Sequence, residues 1–175
     1  MKYLLPLTGA LWLAAAPLSA QKARNIVVIP GQLTQVITDT TGTLYELPFS
    51  AATVYRAVLA AFEELKIPSE VRDSAAGRVE SNVFYRRGDL GGKQISTYLS
   101  CGDGITGPYA DTYRVYMIVT ATVKPNGPDR STMRSVLLGG AVNVAEGARQ
   151  PMACESTGRW EIRMYKLILT KAAGL

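Results

Sequence analysis

The sequence predicts an α+β fold of two layers, an antiparallel sheet packed against an N-terminal helix and a long C-terminal helix. Three observations carry this. Val54, Val58, Ala61, Phe62 and Leu65 recur at helical spacing and make one apolar face. Between residues 113 and 123 the period changes: Tyr113, Val115, Met117, Val119, Ala121 and Val123 alternate with Arg114, Tyr116, Ile118, Thr120 and Thr122, as in a strand with one drier side. Trp160, Met164, Leu167 and Ile168 then return to the helical period. Strand-like segments joined by short connections, with no βαβ repeat, imply an antiparallel meander and not a parallel dinucleotide-binding sheet.

The chain opens "MKYLLPLTGALWLAAAPLSA": Lys2, an apolar run from Leu4 to Ala16, Pro17, then the small pair Ser19-Ala20. This has the layout of a secretory signal peptide over residues 1–20, cleaved after Ala20. The run is shorter than the ~20 residues of a membrane-spanning helix, and no later segment comes closer, so no membrane span is expected. "LSAQ" follows a bacterial lipobox for three residues, but Gln21 stands where a lipidated cysteine would be. The expected product is a soluble periplasmic or secreted chain. Removing twenty residues from 175 leaves 155, enough for one domain with a substantial core. Residues 21–49 form an N-terminal extension with short strands, "NIVVIP" and "TQVITDTTG", and residues 50–175 a single α+β domain.

In that domain "SAATVYRAVLAAFEELKIP" is a helix, with Ser50 as N-cap, Phe49 positioned to staple onto Val54, and Pro68 ending it. Next come "SEVRD" and "RVESNVFYR", strands joined by "SAAG", where Gly77 is free to take a positive φ. "QISTYLS" is a further strand, followed by the loop "CGDGITGPYAD" and the long alternating strand. "KPNGPD" turns the chain into "RSTMRSVLLGGAVNVA", where Gly139-Gly140 suggests a bulge. Ser156 or Thr157 caps a last helix from about Gly158 to Ala172, widened by Ile162, Tyr165 and Leu169.

Composition excludes several chemistries. The chain has no histidine, so no Ser-His-Asp or Cys-His pair can form and no histidine can ligate zinc. Its 19 Lys and Arg against 14 Asp and Glu, a net +5 that loses one charge with Lys2, are scattered; the densest spot is Arg86-Arg87. A nucleic-acid site gathers its cations on one face, so no nucleic acid is expected as partner. No cofactor and no metal are expected either: Asp103 and Asp111 lack the regular acidic series of a Ca²⁺ loop. The tripeptide Arg87-Gly88-Asp89 matches an integrin-binding motif but reads as a solvated turn.

The two cysteines, Cys101 and Cys154, each stand in a Gly- and polar-rich connection. In an exported chain that count predicts one disulfide. Closing over the 52 residues between them stabilises the fold by roughly 4 kcal/mol in the chain-entropy model. A nucleophilic Cys101 would need a positive neighbour, and Asp103 is the opposite.

The stretch "AATVYRAVLAAFEELKIPSEVRDSAAGRVESNVF" resembles the start of the repeated domain in the accessory lipoprotein of the outer-membrane barrel-assembly machine and its exported relatives. There a helix passes through a residue like Ile67 to a strand, a D-x-x-x-G turn like Asp73 to Gly77, and a second strand. The resemblance covers residues 50–86 and implies a helix-grip-like domain acting as a binding or assembly module. Two functions follow as expectations. One is a non-enzymatic envelope module docking another envelope protein through the loop of Asp103, Ile105, Tyr109 and Asp111, rigidified by the disulfide. The other is a carrier of a small apolar ligand in a pocket near Met117, Trp160 and Tyr165. An enzyme would need Asp103 and Asp111 to converge with Arg114, as for sugar hydrolysis; no catalytic residue is assigned.

Overall fold

A computed structural model describes residues 42–144 and 151–175, together with Ile29 and the backbone of two short N-terminal strands. The expected signal peptide, residues 1–20, lies outside the described residues. In chain order the elements are β1 (Ile26–Val27), β2 (Val36–Ile37), β3 (Thr43–Leu47), α1 (Ala51–Glu64), β4 (Val71–Asp73), β5 (Arg78–Glu80) and β6 (Phe84–Arg86). Then follow β7 (Asp89–Leu90), β8 (Lys93–Gln94), a 3₁₀ turn (Ile95–Thr97), β9 (Leu99–Ser100), β10 (Asp103–Gly104), β11 (Gly107–Pro108) and α2 (Tyr109–Thr112). The chain closes with β12 (Arg114–Pro125), β13 (Ser131–Val142), β14 (Met152–Ser156) and α3 (Arg159–Ala172). The fold is mixed α+β, a large antiparallel sheet with α1 and α3 packed on it, as the periodicities predict.

The sheet is built on one long hairpin. β12 and β13 pair without interruption from Arg114↔Val142 to Pro125↔Ser131. Each carries two short strands on its outer edge: β5 and β6 on β12, β3 and β14 on β13. β4 then extends β5, and β9 extends β14. The alternation of β12 points Val115, Met117, Val119, Ala121 and Val123 at the helices, where they are buried with Met133, Leu137 and Ala141 of β13. Against them lie Val54, Val58, Ala61 and Phe62 of α1 and Trp160, Met164 and Ile168 of α3, in one apolar core. On the opposite face, Ile118 and Leu138 are covered by Ile29 from the N-terminal extension.

Local chemistry explains the ends of the elements. Ser50 Oγ accepts from Thr53 N at 3.3 Å as the N-cap of α1, and Phe49 packs against the core that contains Val54. Gly77 adopts φ +65° and its carbonyl accepts from Val123 N at 2.7 Å, while Asp73 Oδ1 accepts from Ala76 N at 2.9 Å across the β4–β5 turn. The N-cap of α3 is Gly158 (φ 76°), with no side-chain cap; the expected caps Ser156 and Thr157 lie just outside the helix, where Ser156 Oγ accepts from Gly158 N and Thr157 Oγ1 from Arg159 N. Ile162, expected to widen the buried stripe, is instead half exposed. Among the described residues, no helix is long and apolar enough to cross a membrane.

Several strand expectations are corrected. "RVESNVFYR" is two strands, because Ser81 interrupts the ladder: Ser81 N donates to Val119 O and Val119 N donates to Ser81 Oγ, both at 2.9 Å. "QISTYLS" is not one strand, since Ile95–Thr97 coils into a 3₁₀ turn whose Ser96 N donates to Asp111 Oδ1. Gly139-Gly140 is not a bulge; the ladder runs straight through Met117↔Gly139 and Tyr116↔Gly140. The Leu99 side chain packs over Gly139, its Cδ1 2.5 Å from where a Cβ would stand. Cys154 is not in a connection but in the middle of β14. The described part of "TQVITDTTG", Val36–Ile37, pairs only with Ile26–Val27, and it is Thr43–Leu47 that joins the main sheet.

Candidate functional site

Cys101 and Cys154 are joined by a disulfide bond, with Cα atoms 4.2 Å apart. The register explains the meeting. Ser156↔Leu99 and Glu155↔Ser100 pair β14 with β9, and the next position in that ladder faces Cys154 with Cys101. The bond fastens the two-residue strand β9, and the segment that follows it, to the edge of the sheet.

Directly after Cys101 the chain rises into a small hairpin. Asp103↔Pro108 and Gly104↔Gly107 pair β10 with β11, leaving Ile105-Thr106 as the two-residue turn. Tyr109 N donates to Gly102 O at 2.9 Å and closes the base. The Tyr109 ring lies against the hairpin so closely that a Cβ on Gly104 would stand 2.6 Å from its Cε1, and it stacks on Tyr113 with centroids 4.5 Å apart. Gly102 (φ +89°) and Gly107 (φ +112°) hold backbone conformations that other residues rarely adopt. At the tip, Ile105 is fully exposed.

The base of the hairpin is fixed from two further directions. Ala110 of α2 is fully buried, and Asp111 caps the 3₁₀ turn through Ser96 N at 2.9 Å. Arg163 of α3 donates to Leu90 O, Gly91 O and the Tyr98 hydroxyl, and its guanidinium lies over the Tyr98 ring. Thr157 donates from N to Tyr98 O and from its hydroxyl to Thr97 O at 2.7 Å. The whole segment from Asp89 to Tyr113 is thereby bound to α3 and β14. Arg163 and Thr157 carry no motif that would have marked them in the sequence; only the fold brings them to residues 60 to 73 positions earlier in the chain.

The expected loop residues therefore divide. Ile105 and Asp103 are exposed, Tyr109 is the cushion under the hairpin, and Asp111 is a structural cap. Arg114, the third group of the sugar-hydrolysis alternative, stacks over the ring of Tyr85 at 4.8 Å. Arg87-Gly88-Asp89 leads into the β7–β8 turn, where Gly88 O accepts from Ile95 N and Asp89 Oδ2 from Gly92 N. Met117 and Trp160 of the expected pocket are fully buried in the core, Trp160 edge-on to Tyr98. Tyr165 stacks on Tyr45 with centroids 4.6 Å apart. Among the described residues no group of three or more His, Cys, Asp or Glu is arranged to hold a metal ion. No protein-family model matches the chain, and no curated protein matches it.

Proposed function

We propose that the protein is a non-enzymatic, exported binding or assembly module of the bacterial cell envelope, which docks another envelope protein through the β10–β11 hairpin. The observation that carries this reading is a fully exposed isoleucine at the tip of a hairpin whose base is a disulfide. Burying an isoleucine side chain in a partner's pocket contributes about 1.5–3 kcal/mol. An anchored hairpin presents it with little conformational entropy left to lose on binding. Asp111 is engaged as a cap and Met117 and Trp160 in the core, which favours a docking module over both the carboxylate enzyme and the carrier. The disulfide is compatible with an oxidising compartment.

The test places a photo-crosslinking residue at Thr106 in the native host. The expected result is one discrete adduct with another exported protein. Ile105→Asp should abolish it, while Ile162→Asp, at an exposed isoleucine on α3, should leave it intact. An adduct indifferent to Ile105→Asp removes the hairpin from the interface. A protein that yields no adduct but releases an apolar molecule of a few hundred daltons on denaturation, read by native mass spectrometry, replaces docking by carriage.

A further inference from the structure

The sheet face turned away from the helices carries a second surface, distinct from the hairpin. Tyr85 of β6 and Tyr116 of β12 are directly opposite one another in the ladder, with ring centroids 6.0 Å apart and planes inclined by 52°. The next residue opposite Tyr116 on β13 is Gly140, so no side chain rises beside the ring there. Tyr85 is 55 % exposed although its backbone is in the sheet. The Arg114 guanidinium lies 4.8 Å from the Tyr85 ring centre, and Arg87, two residues after Tyr85, is exposed. Neither arginine takes part in an ion pair among the described residues. One step further along β12 and β13 the open surface ends, because Ile29 closes over Ile118 and Leu138.

We propose that this surface binds a carboxylated glycan. Tyrosine ring faces take the C–H faces of pyranose rings, and their hydroxyls exchange hydrogen bonds with sugar hydroxyls. A guanidinium already aligned along a ring is placed to take a carboxylate by two parallel N–H···O bonds. Charge selects the acidic class, since Arg87 and Arg114 have no acid to neutralise them among the described residues. Size selects a glycan over a protein. A stable protein interface covers about 800 Å² on each side around an apolar centre, and here Ile118 and Leu138, the next apolar residues along β12 and β13, are already covered by Ile29. What remains open is led by aromatic and cationic side chains.

The experiment titrates the purified protein with oligogalacturonate, following tyrosine fluorescence and calorimetry, with a neutral maltooligosaccharide and polyglutamate as comparators. Saturable binding of oligogalacturonate is expected, weakened about tenfold or more by Tyr85→Ala and by Arg114→Gln, a loss of the size one stacked or charge-assisted contact supplies. Tyr85→Phe, which keeps the ring and the strand, should retain most of the affinity, and Ile105→Asp all of it. Absence of saturable binding overturns the proposal. So does equal affinity for polyglutamate, which would make the surface a general acidic-protein site, or equal affinity for the neutral sugar, which would leave the arginines without a role. Affinity unchanged in Tyr85→Ala overturns it as well.

Discussion

Ser81 and Ser135 are both fully buried, and their hydroxyls have opposite standing. Ser81 Oγ accepts from Val119 N in the gap between β5 and β6, so it replaces a missing ladder partner. Ser81→Ala leaves a buried backbone N–H unpaired, and a loss of about 1–3 kcal/mol in urea unfolding is expected. Ser135 Oγ has no hydrogen-bond partner among the described residues and faces Ala121 across the strand pair. Removing an unpaired hydroxyl costs no hydrogen bond, so Ser135→Ala is expected to be neutral or stabilising in the same measurement. Gly77 makes the tightest approach of the described glycines: at φ +65° a Cβ would stand 2.1 Å from Val123 O, a backbone atom that cannot rotate away. Gly77→Ala is expected to lower stability by well over the ~1–2 kcal/mol of left-handed strain alone, and to weaken amide protection at Val123.

Among the elements, α1 and α3 were legible because fourteen residues at a 3.6 period repeat the same message several times over. Ser50→Ala is expected to cost about 1 kcal/mol, read as a lowered melting temperature, since it deletes the one side-chain cap of α1. β12 was legible for the same reason, alternating over twelve residues. The three-residue strands β4, β5 and β6 fall within segments expected as strands, but the two-residue β7, β8, β10 and β11 were not legible, because they are too short to show any period. β7–β8 and β10–β11 are local two-residue hairpins, and β9 is held by β14, more than fifty positions later in the chain. Gly139 shows the same limit: a glycine pair in a strand signals a bulge, whereas here the ladder is regular and Leu99 of β9, forty positions earlier, packs over the glycine. In the candidate site the cysteine pairing could be counted from composition. The exposure of Ile105 could not, since its surroundings, "GDGITGP", do not reveal whether the isoleucine folds back or stands out.

For the molecule as a whole, the disulfide unites the long insertion between β6 and β12 with the sheet. Its sequence separation of 53 corresponds to about 4 kcal/mol in the chain-entropy model, and native bridges generally contribute 2–5 kcal/mol. Reduction, or Cys101→Ala with Cys154→Ala, is expected to shift the denaturation midpoint downwards by that amount and to raise hydrogen exchange first between Leu99 and Tyr113. The oxidised protein is expected to gain no mass on alkylation unless a reductant is present.

The covalent ring closed by Cys101 and Cys154 contains α2, β12 and β13 entire, so the longest hairpin of the sheet lies inside it. A pulling force applied at the chain ends cannot extend the chain inside the ring, because the sulfur bridge spans it, and only the residues outside the ring can pay out as slack. The same ring retains its pieces after a cut. A cut within residues 126–130, the exposed turn between β12 and β13, leaves the two cysteines in different fragments. A single proteolytic nick after Arg130 is therefore expected to be invisible on a non-reducing gel and to release two fragments once the bridge is reduced. One covalent bond thus holds the two halves of a nicked chain together.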